Sequence, residues 1–375
     1  MRKRDRNIIV LSLTSFAVDV TFGSWWLILP LYLERLGASV TDIGLSYALI
    51  NIAWALSQLP GGYLSDRFGR KRIIVISTST FIPFYASMLF LRDWLSVTAA
   101  ITLSSFFAGL QNPSFSSMIV ESSSKLGLAE AFGFYNFLMN LGWAVGPLIG
   151  AFITPNYGFD PVFAAGTVVT AICFLLRAKL LSEPSTLSVK TDATSFSSFL
   201  MPVSLSIFIF QVANGLISPL IPLYAEKYMK FDMSQIQLMF FAAQLLTSLS
   251  SLMAGPFVTK LGGLKSLLIS FTFSGMFSLA WPFSRSFGAF ILLSLYYAFL
   301  FAFTEVAFGT FLSEITVREN RATAFGAATI ISGLSHSLGG YLGGNIWESF
   351  DPLVPFVLTF SLTIVSIVPL MRARF

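Results

Sequence analysis

Apolar runs of about 20 residues succeed one another along the whole chain, parted by short stretches where glycine, proline and charge collect. A run of that length lets an α-helix cross hydrocarbon with its backbone amides bonded inside the segment. Hydropathy and punctuation together predict twelve helices, near residues 7–34, 42–65, 72–91, 95–121, 129–153, 160–181, 199–227, 234–259, 265–283, 287–314, 322–348 and 352–371. One polar, Ser/Thr-rich stretch, SEPSTLSVKTDATSFSS, lies at the middle of the series. The pattern predicts an all-α integral membrane protein with an N-terminal bundle over 1–181, a linker over 182–198 and a C-terminal bundle over 199–375.

Composition narrows the class. Of 375 residues, 55% are hydrophobic and 11% charged, and no polar segment is long enough for a soluble domain. The net charge of +5 does not point to nucleic acid, because the basic residues sit in short loops and not on one patch. Of the 23 Lys and Arg, 18 fall on the side of the termini and linker, Arg177 and Lys190 among them. Only Arg35, Arg92, Lys227, Lys230 and Arg285 fall opposite, a bias that puts both termini in the cytoplasm of a multi-pass cell-membrane protein. The opening MRKRDR precedes an apolar stretch as in a secretory leader, but that stretch runs to about Pro30, carries Asp19 and lacks a small-residue cleavage site. Cys173 and His336 are each the one residue of their kind, so neither an intramolecular disulfide nor a cysteine or two-histidine metal site is expected. No cofactor is implied.

The halves repeat each other. PLYLER at 30–35 returns as PLYAEK at 222–227, and after one inserted residue Gly62 matches Gly255, Gly69 matches Gly262, Glu121 matches Glu314, and Gly146 and Gly150 match Gly339 and Gly343. An even number of spans per half makes the repeats parallel, a transporter architecture in which a small-molecule substrate binds near the midplane where the halves meet. Because one chain holds both repeats, a monomer is expected.

The one dense cluster of charge within the apolar series is GGYLSDRFGRKR, Gly61 to Arg72. Gly62 is expected to let backbones approach where span 2 ends, Gly69 to permit the turn into span 3, and Asp66 to meet the N-terminal amides of a neighbouring helix. The run Gly62, Asp66, Arg67, Gly69, Arg70, Lys71 resembles the signature between helices 2 and 3 of the major facilitator superfamily. That resemblance covers essentially the whole chain and implies the major facilitator fold, two pseudo-symmetric six-helix bundles working by alternating access. It also implies that Asp66 latches the cytoplasmic side against span 11 and that Arg70 pairs with Glu121 at the end of span 4. In the second half Thr259 and Gly263 stand where Asp66 and Arg70 stand in the first, so the gate is expected to be asymmetric. The competing reading of Arg70, Lys71 and Arg72 is that they only anchor topology.

An ionised carboxylate near the centre of a span costs about 2.5–3.5 kcal/mol on insertion scales, so each such group needs a reason. Asp19 in span 1 and Glu305 in span 10 qualify, and the repeat pairs them with Gln211 in span 7 and Asn112 in span 4. In the resembled fold these spans line the central cavity, which makes Asp19 the leading proton or cation site and Glu305 the second. Of the aromatic residues, Phe22, Trp25 or Trp26, with Phe301 or Phe308, suit an apolar or amphipathic solute; Trp26 is the site candidate.

In span 5, Gly142, Gly146-Pro147 and Gly150 follow Gly133 at the spacing of a motif in the drug/proton antiporter branch of the same superfamily, with Ala151 departing from it. Plain helix packing is the alternative. Ser105 stands where that branch often has an arginine, so proton coupling would rest on other groups, Asp19 first. The fragment GLSHS around His336 lacks the last glycine of a nucleophile elbow, and no catalysis is expected. The sequence reading is a secondary transporter exporting an apolar or cationic amphipathic solute in exchange for protons. A symporter or uniporter for nutrient uptake and a non-transporting membrane sensor are its competitors.

Overall fold

The computed structural model describes residues 3–122, 128–183, 201–315 and 321–372. The first half holds α1 (Lys3–Trp26), α2 (Leu29–Arg35), α3 (Val40–Phe68), α4 (Arg70–Met88), α5 (Trp94–Ser122), α6 (Leu128–Tyr157) and α7 (Asp160–Leu180). The second holds α8 (Met201–Ile217), α9 (Leu220–Lys227), α10 (Met233–Leu261), α11 (Gly263–Ala280), α12 (Phe287–Ile315), α13 (Arg321–Ser349), α14 (Val354–Val365) and α15 (Ile367–Arg372), with a 3-10 turn Trp281–Phe283 after α11. Each predicted span is occupied by helix; residues 184–198 of the expected linker lie outside the described residues. Among the described residues nine helices are long and apolar enough to cross a membrane, or ten if the two pieces of α10 form one span. α4 and α13 fall outside that count: α4 opens on Arg70, Lys71 and Arg72, and α13 is rich in glycine and serine.

Proline accounts for the spans that come in two pieces. Pro30 opens α2, and Pro219 caps α9. Pro369 in α15 has no N–H to give the carbonyl of Val365, four residues earlier at the end of α14. Pro147 lies inside α6, whose helical assignment runs on through it.

Contacts divide the chain into two compact units, one of Met1–Gly37 and Ile52–Lys190, the other of Ala38–Asn51 and Thr191–Phe375. In the first, α1 packs most extensively on α6, and α4 on α7 and α5. In the second, the leading pairs are α8 with α13 and α12 with α10 and α11. That unit includes the start of α3, where Glu348 of α13 accepts the Val40 amide and the Thr41 hydroxyl, both at 2.6 Å.

The sequence repeat is visible in the packing of each unit. Gly69 and Gly262 both turn the chain between consecutive helices with positive φ, 95° and 84°, where a side chain would be strained. A Cβ on Gly146 would lie 2.8 Å from Gly23 Cα, and one on Gly339 would lie 2.9 Å from Gly215 Cα, so the α1·α6 and α8·α13 crossings share one glycine-on-glycine device. Large apolar side chains such as Leu59, Phe152 and Leu292 are about two-thirds exposed, as expected where the surrounding solvent is lipid.

Candidate functional site

Asp19 sits in the middle of α1 and is half-buried. A Cβ on Gly142 of α6 would lie 2.8 Å from Asp19 Cβ and 2.8 Å from the Phe16 carbonyl oxygen, so the first glycine of the α6 stripe lets α1 approach closely at Asp19. One turn along, Gly146 and Pro147 face Gly23. Half-buried Trp26 stacks on Phe22 at 4.8 Å, with Trp143 edge-on to Phe22 at 5.5 Å. Trp25 is fully buried against Tyr85 and Phe163 and belongs to the packing of the unit, which leaves Trp26 as the accessible indole of the two. Asn112, on α5 of the same unit, is exposed.

In the second unit Gln211 is half-buried on α8 and Glu305 exposed on α12, so each matches the exposure of its repeat partner, Asp19 or Asn112. Sequence reasoning missed a connection here. Tyr297 donates its hydroxyl to Asn214 Oδ1 at 2.9 Å, joining α12 to α8 one turn from Gln211, and its ring neighbours exposed Phe301 on the same stripe as Glu305. His336 is half-buried on α13, and its carbonyl oxygen is the atom on which Gly215 packs.

At one end of the first unit, Arg70 organises the charge cluster. Its guanidinium pairs with Asp66 and donates to Ser65 Oγ at 3.2 Å and to Glu121 Oε1 at 3.2 and 3.4 Å. Burial works against this charge, but the hydrogen-bonded carboxylates of Asp66 and Glu121 outweigh it and hold the Arg70 pKa above the ordinary arginine value. The Arg70–Glu121 pair expected from the resemblance is therefore formed, with side chains 14% and 8% exposed. Arg67 stays exposed, near Tyr63 and over the ring of Phe68.

Two details differ from expectation, and a third concerns the difference expected between the halves. Close backbone approach belongs to Gly61, whose Cβ would lie 2.7 Å from Leu110 Cα, whereas Gly62 meets only Pro113 at 4.0 Å. The amides that open α4 are taken by Glu183, which accepts from Arg70 N at 2.6 Å and Lys71 N at 2.9 Å, while Asp66 turns to the guanidinium. In the second unit Glu314, the counterpart of Glu121, accepts the backbone amide of Gly263 at 3.2 Å. A Cβ there would lie 2.5 Å from Phe311 Cα, so glycine is what brings the main chain within reach of the carboxylate.

The largest departure concerns Arg177, counted from the sequence as a loop anchor. It lies inside α7 and is 1% exposed. Its donors reach Thr14 Oγ1 at 2.8 Å, Thr78 Oγ1 at 2.7 Å and Ser15 Oγ at 3.1 Å, and its cationic carbon lies 5.0 Å from the Phe115 ring centroid. Lys179, two residues on, is exposed and remains an anchor, so the charge bias keeps its sign without Arg177.

The sequence profile of the Major Facilitator Superfamily matches residues 11–201 and 203–375. An uncharacterized MFS-type transporter of Methanocaldococcus jannaschii is 28% identical over 297 residues, 75% of this chain and 76% of that protein. The quinolone resistance protein NorA of Staphylococcus aureus is 28% identical over 184 residues, 48% of this chain and 46% of its own length, so the chain spans under half of that relative. Among solved structures, the human organic anion transporter MFSD10 (TETRAN) superposes with a TM-score of 0.73 at 14% identity, covering 99% of this chain and 100% of the other. A variant of the nucleoside transporter NupG superposes with a TM-score of 0.78 at 17% identity, covering 98% and 100%. At such identities the likeness concerns the fold alone.

Proposed function

Since this chain belongs to the Major Facilitator Superfamily, a family of membrane transporters and not of enzymes, we propose that it is a secondary active transporter exporting a small apolar or cationic amphipathic solute in exchange for protons. Alternating access of two six-helix bundles, 1–181 and 199–375 joined through 182–198, moves the solute across the cell membrane, with both termini cytoplasmic and the monomer as the working unit. The observation that carries the reading is Asp19: a half-accessible carboxylate in the middle of a span, seated on the first glycine of the α6 stripe. A carboxyl so placed accepts and releases a proton as its access to water changes sides. Glu305, Asn112 and Gln211 complete the polar set, and Trp26 offers an aromatic face to a lipophilic cation. The similarity to a quinolone resistance protein over 48% of the chain favours export.

The Asp66, Arg70 and Glu121 cluster serves as the gate, with Gly69 as its turn and Lys71 and Arg67 at its rim. The test is tetraphenylphosphonium flux in proteoliposomes under an imposed pH gradient. Uptake into vesicles that are acid inside, abolished in Asp19→Asn, is the expected result. Flux in the direction of proton movement identifies a symporter instead, and ligand binding with no flux identifies a sensor.

A further inference from the structure

We propose that Arg177 is the fixed counter-charge of Asp19, a positioning residue that ties the ionisation of that carboxyl to the packing of α1, α4, α5 and α7. The assignment rests on the reading of Asp19 as the coupling group, but its physical basis is independent of transport. A guanidinium stays protonated wherever proteins put it, and a buried charge requires an opposite one close by. Among the described residues the groups that hold Arg177 are neutral: the hydroxyls of Thr14, Ser15 and Thr78, and the ring of Phe115. They supply dipoles and a π face and leave the unit charge unbalanced.

Asp19 follows Ser15 by four residues on α1, which places it on the same helix face about 6 Å further along the axis. The other titratable groups facing this pair are Tyr85 of α4, Tyr135 of α6 and Cys173 of α7, none of them an acid that ionises at neutral pH, while α5 presents the Phe115 ring. Glu121 of α5 is occupied by Arg70. Among the described residues this cluster is therefore neutral with Asp19 ionised and carries one uncompensated positive charge with Asp19 protonated. Each proton taken up changes the electrostatic force between α1 and α7 at the point where Thr14, Ser15 and Thr78 hold Arg177.

The test is a thermal-melt cycle at pH 8 on the full-length protein in detergent, comparing wild type, Asp19→Asn, Arg177→Gln, the double variant, Arg177→Lys and Asp19→Asn/Arg177→Lys. Neutralising either charge alone lowers Tm by several degrees, and the double variant loses clearly less than the sum of the two. Lysine keeps the charge without the three-way hydroxyl grip, so Arg177→Lys alone preserves the penalty of Asp19→Asn. Additive losses through the whole series overturn the pairing and leave Arg177 as a helix tie only. Tetraphenylphosphonium flux driven by a pH gradient, measured on the same variants, separates this result from the fate of the transport reading. Non-additive melts with normal driven flux in Asp19→Asn keep the charge pair and remove Asp19 from coupling. Additive melts with flux lost in Asp19→Asn do the reverse.

Discussion

Placing a methyl group on Gly146 tests the α1·α6 crossing directly. The new Cβ would lie 2.8 Å from Gly23 Cα, Gly23 C and Ser24 N, all backbone atoms of α1 that no rotamer change can move aside. Ordinary carbon contacts need about 3.5–4.0 Å, so the helices must part by roughly 0.7 Å or more along the line of contact. Overpacking of this kind costs about 1–3 kcal/mol, while alanine recovers about 1 kcal/mol of helix propensity over glycine. The net loss is about 0–2 kcal/mol, and at roughly 2–4 °C per kcal/mol Tm falls by as much as about 8 °C. Gly309 in the interior of α12 supplies the control, because a Cβ there meets no described atom within 4 Å. Gly309→Ala keeps the propensity gain alone and raises Tm by about 2–4 °C. Melting curves of the two variants in one detergent decide the matter: a Gly146→Ala protein that melts as high as Gly309→Ala refutes the claim that the stripe exists for backbone contact.

The charge cluster yields two further expectations. Glu121→Gln removes one partner of an ion pair whose side chains are 8% and 14% exposed, at a cost of up to about 3 kcal/mol, whereas Asp66, 71% exposed, contributes at most about 1 kcal/mol. Asp66→Asn thus melts near wild type yet loses most of its transport, while Glu121→Gln loses Tm first; equal melting losses in the two would contradict this ranking. Glu183→Gln withdraws the anion from the amides that open α4 and lowers stability by about 0.3–2 kcal/mol, read as a drop in Tm that high salt does not restore. A melting curve superimposable on wild type would show that those amides need no carboxylate.

Much of the architecture was legible because the bilayer imposes a length and a composition on every span, and because glycine at a left-handed turn has no substitute. Gly69 and Gly262 were found that way, whereas the Arg70–Glu121 pair was implied by the family resemblance alone. Hydropathy failed where depth within a bundle matters. An arginine four residues from the end of a predicted span reads as an anchor, and only the hydroxyls of Thr14, Ser15 and Thr78 on two other helices distinguish Arg177 from Lys179. Glu183 escaped notice because its partner is a backbone amide more than a hundred residues away, which leaves no trace in residue type. Gly61 and Gly62 are adjacent and identical, and which of them meets Leu110 depends on the rotation of α3 about its axis.

Glu121 and Glu314 hold equivalent places, yet the first is answered by a guanidinium and the second by the peptide N–H of Gly263. A side-chain donor can be exchanged by a single codon change; a main-chain donor is present at every residue but proline. The first half can therefore be retuned through the side chain at position 70, whereas the bond in the second half depends on the missing side chain at Gly263, where a Cβ would lie 2.5 Å from Phe311 Cα. One fastening is set by which side chain is present and the other by the absence of one.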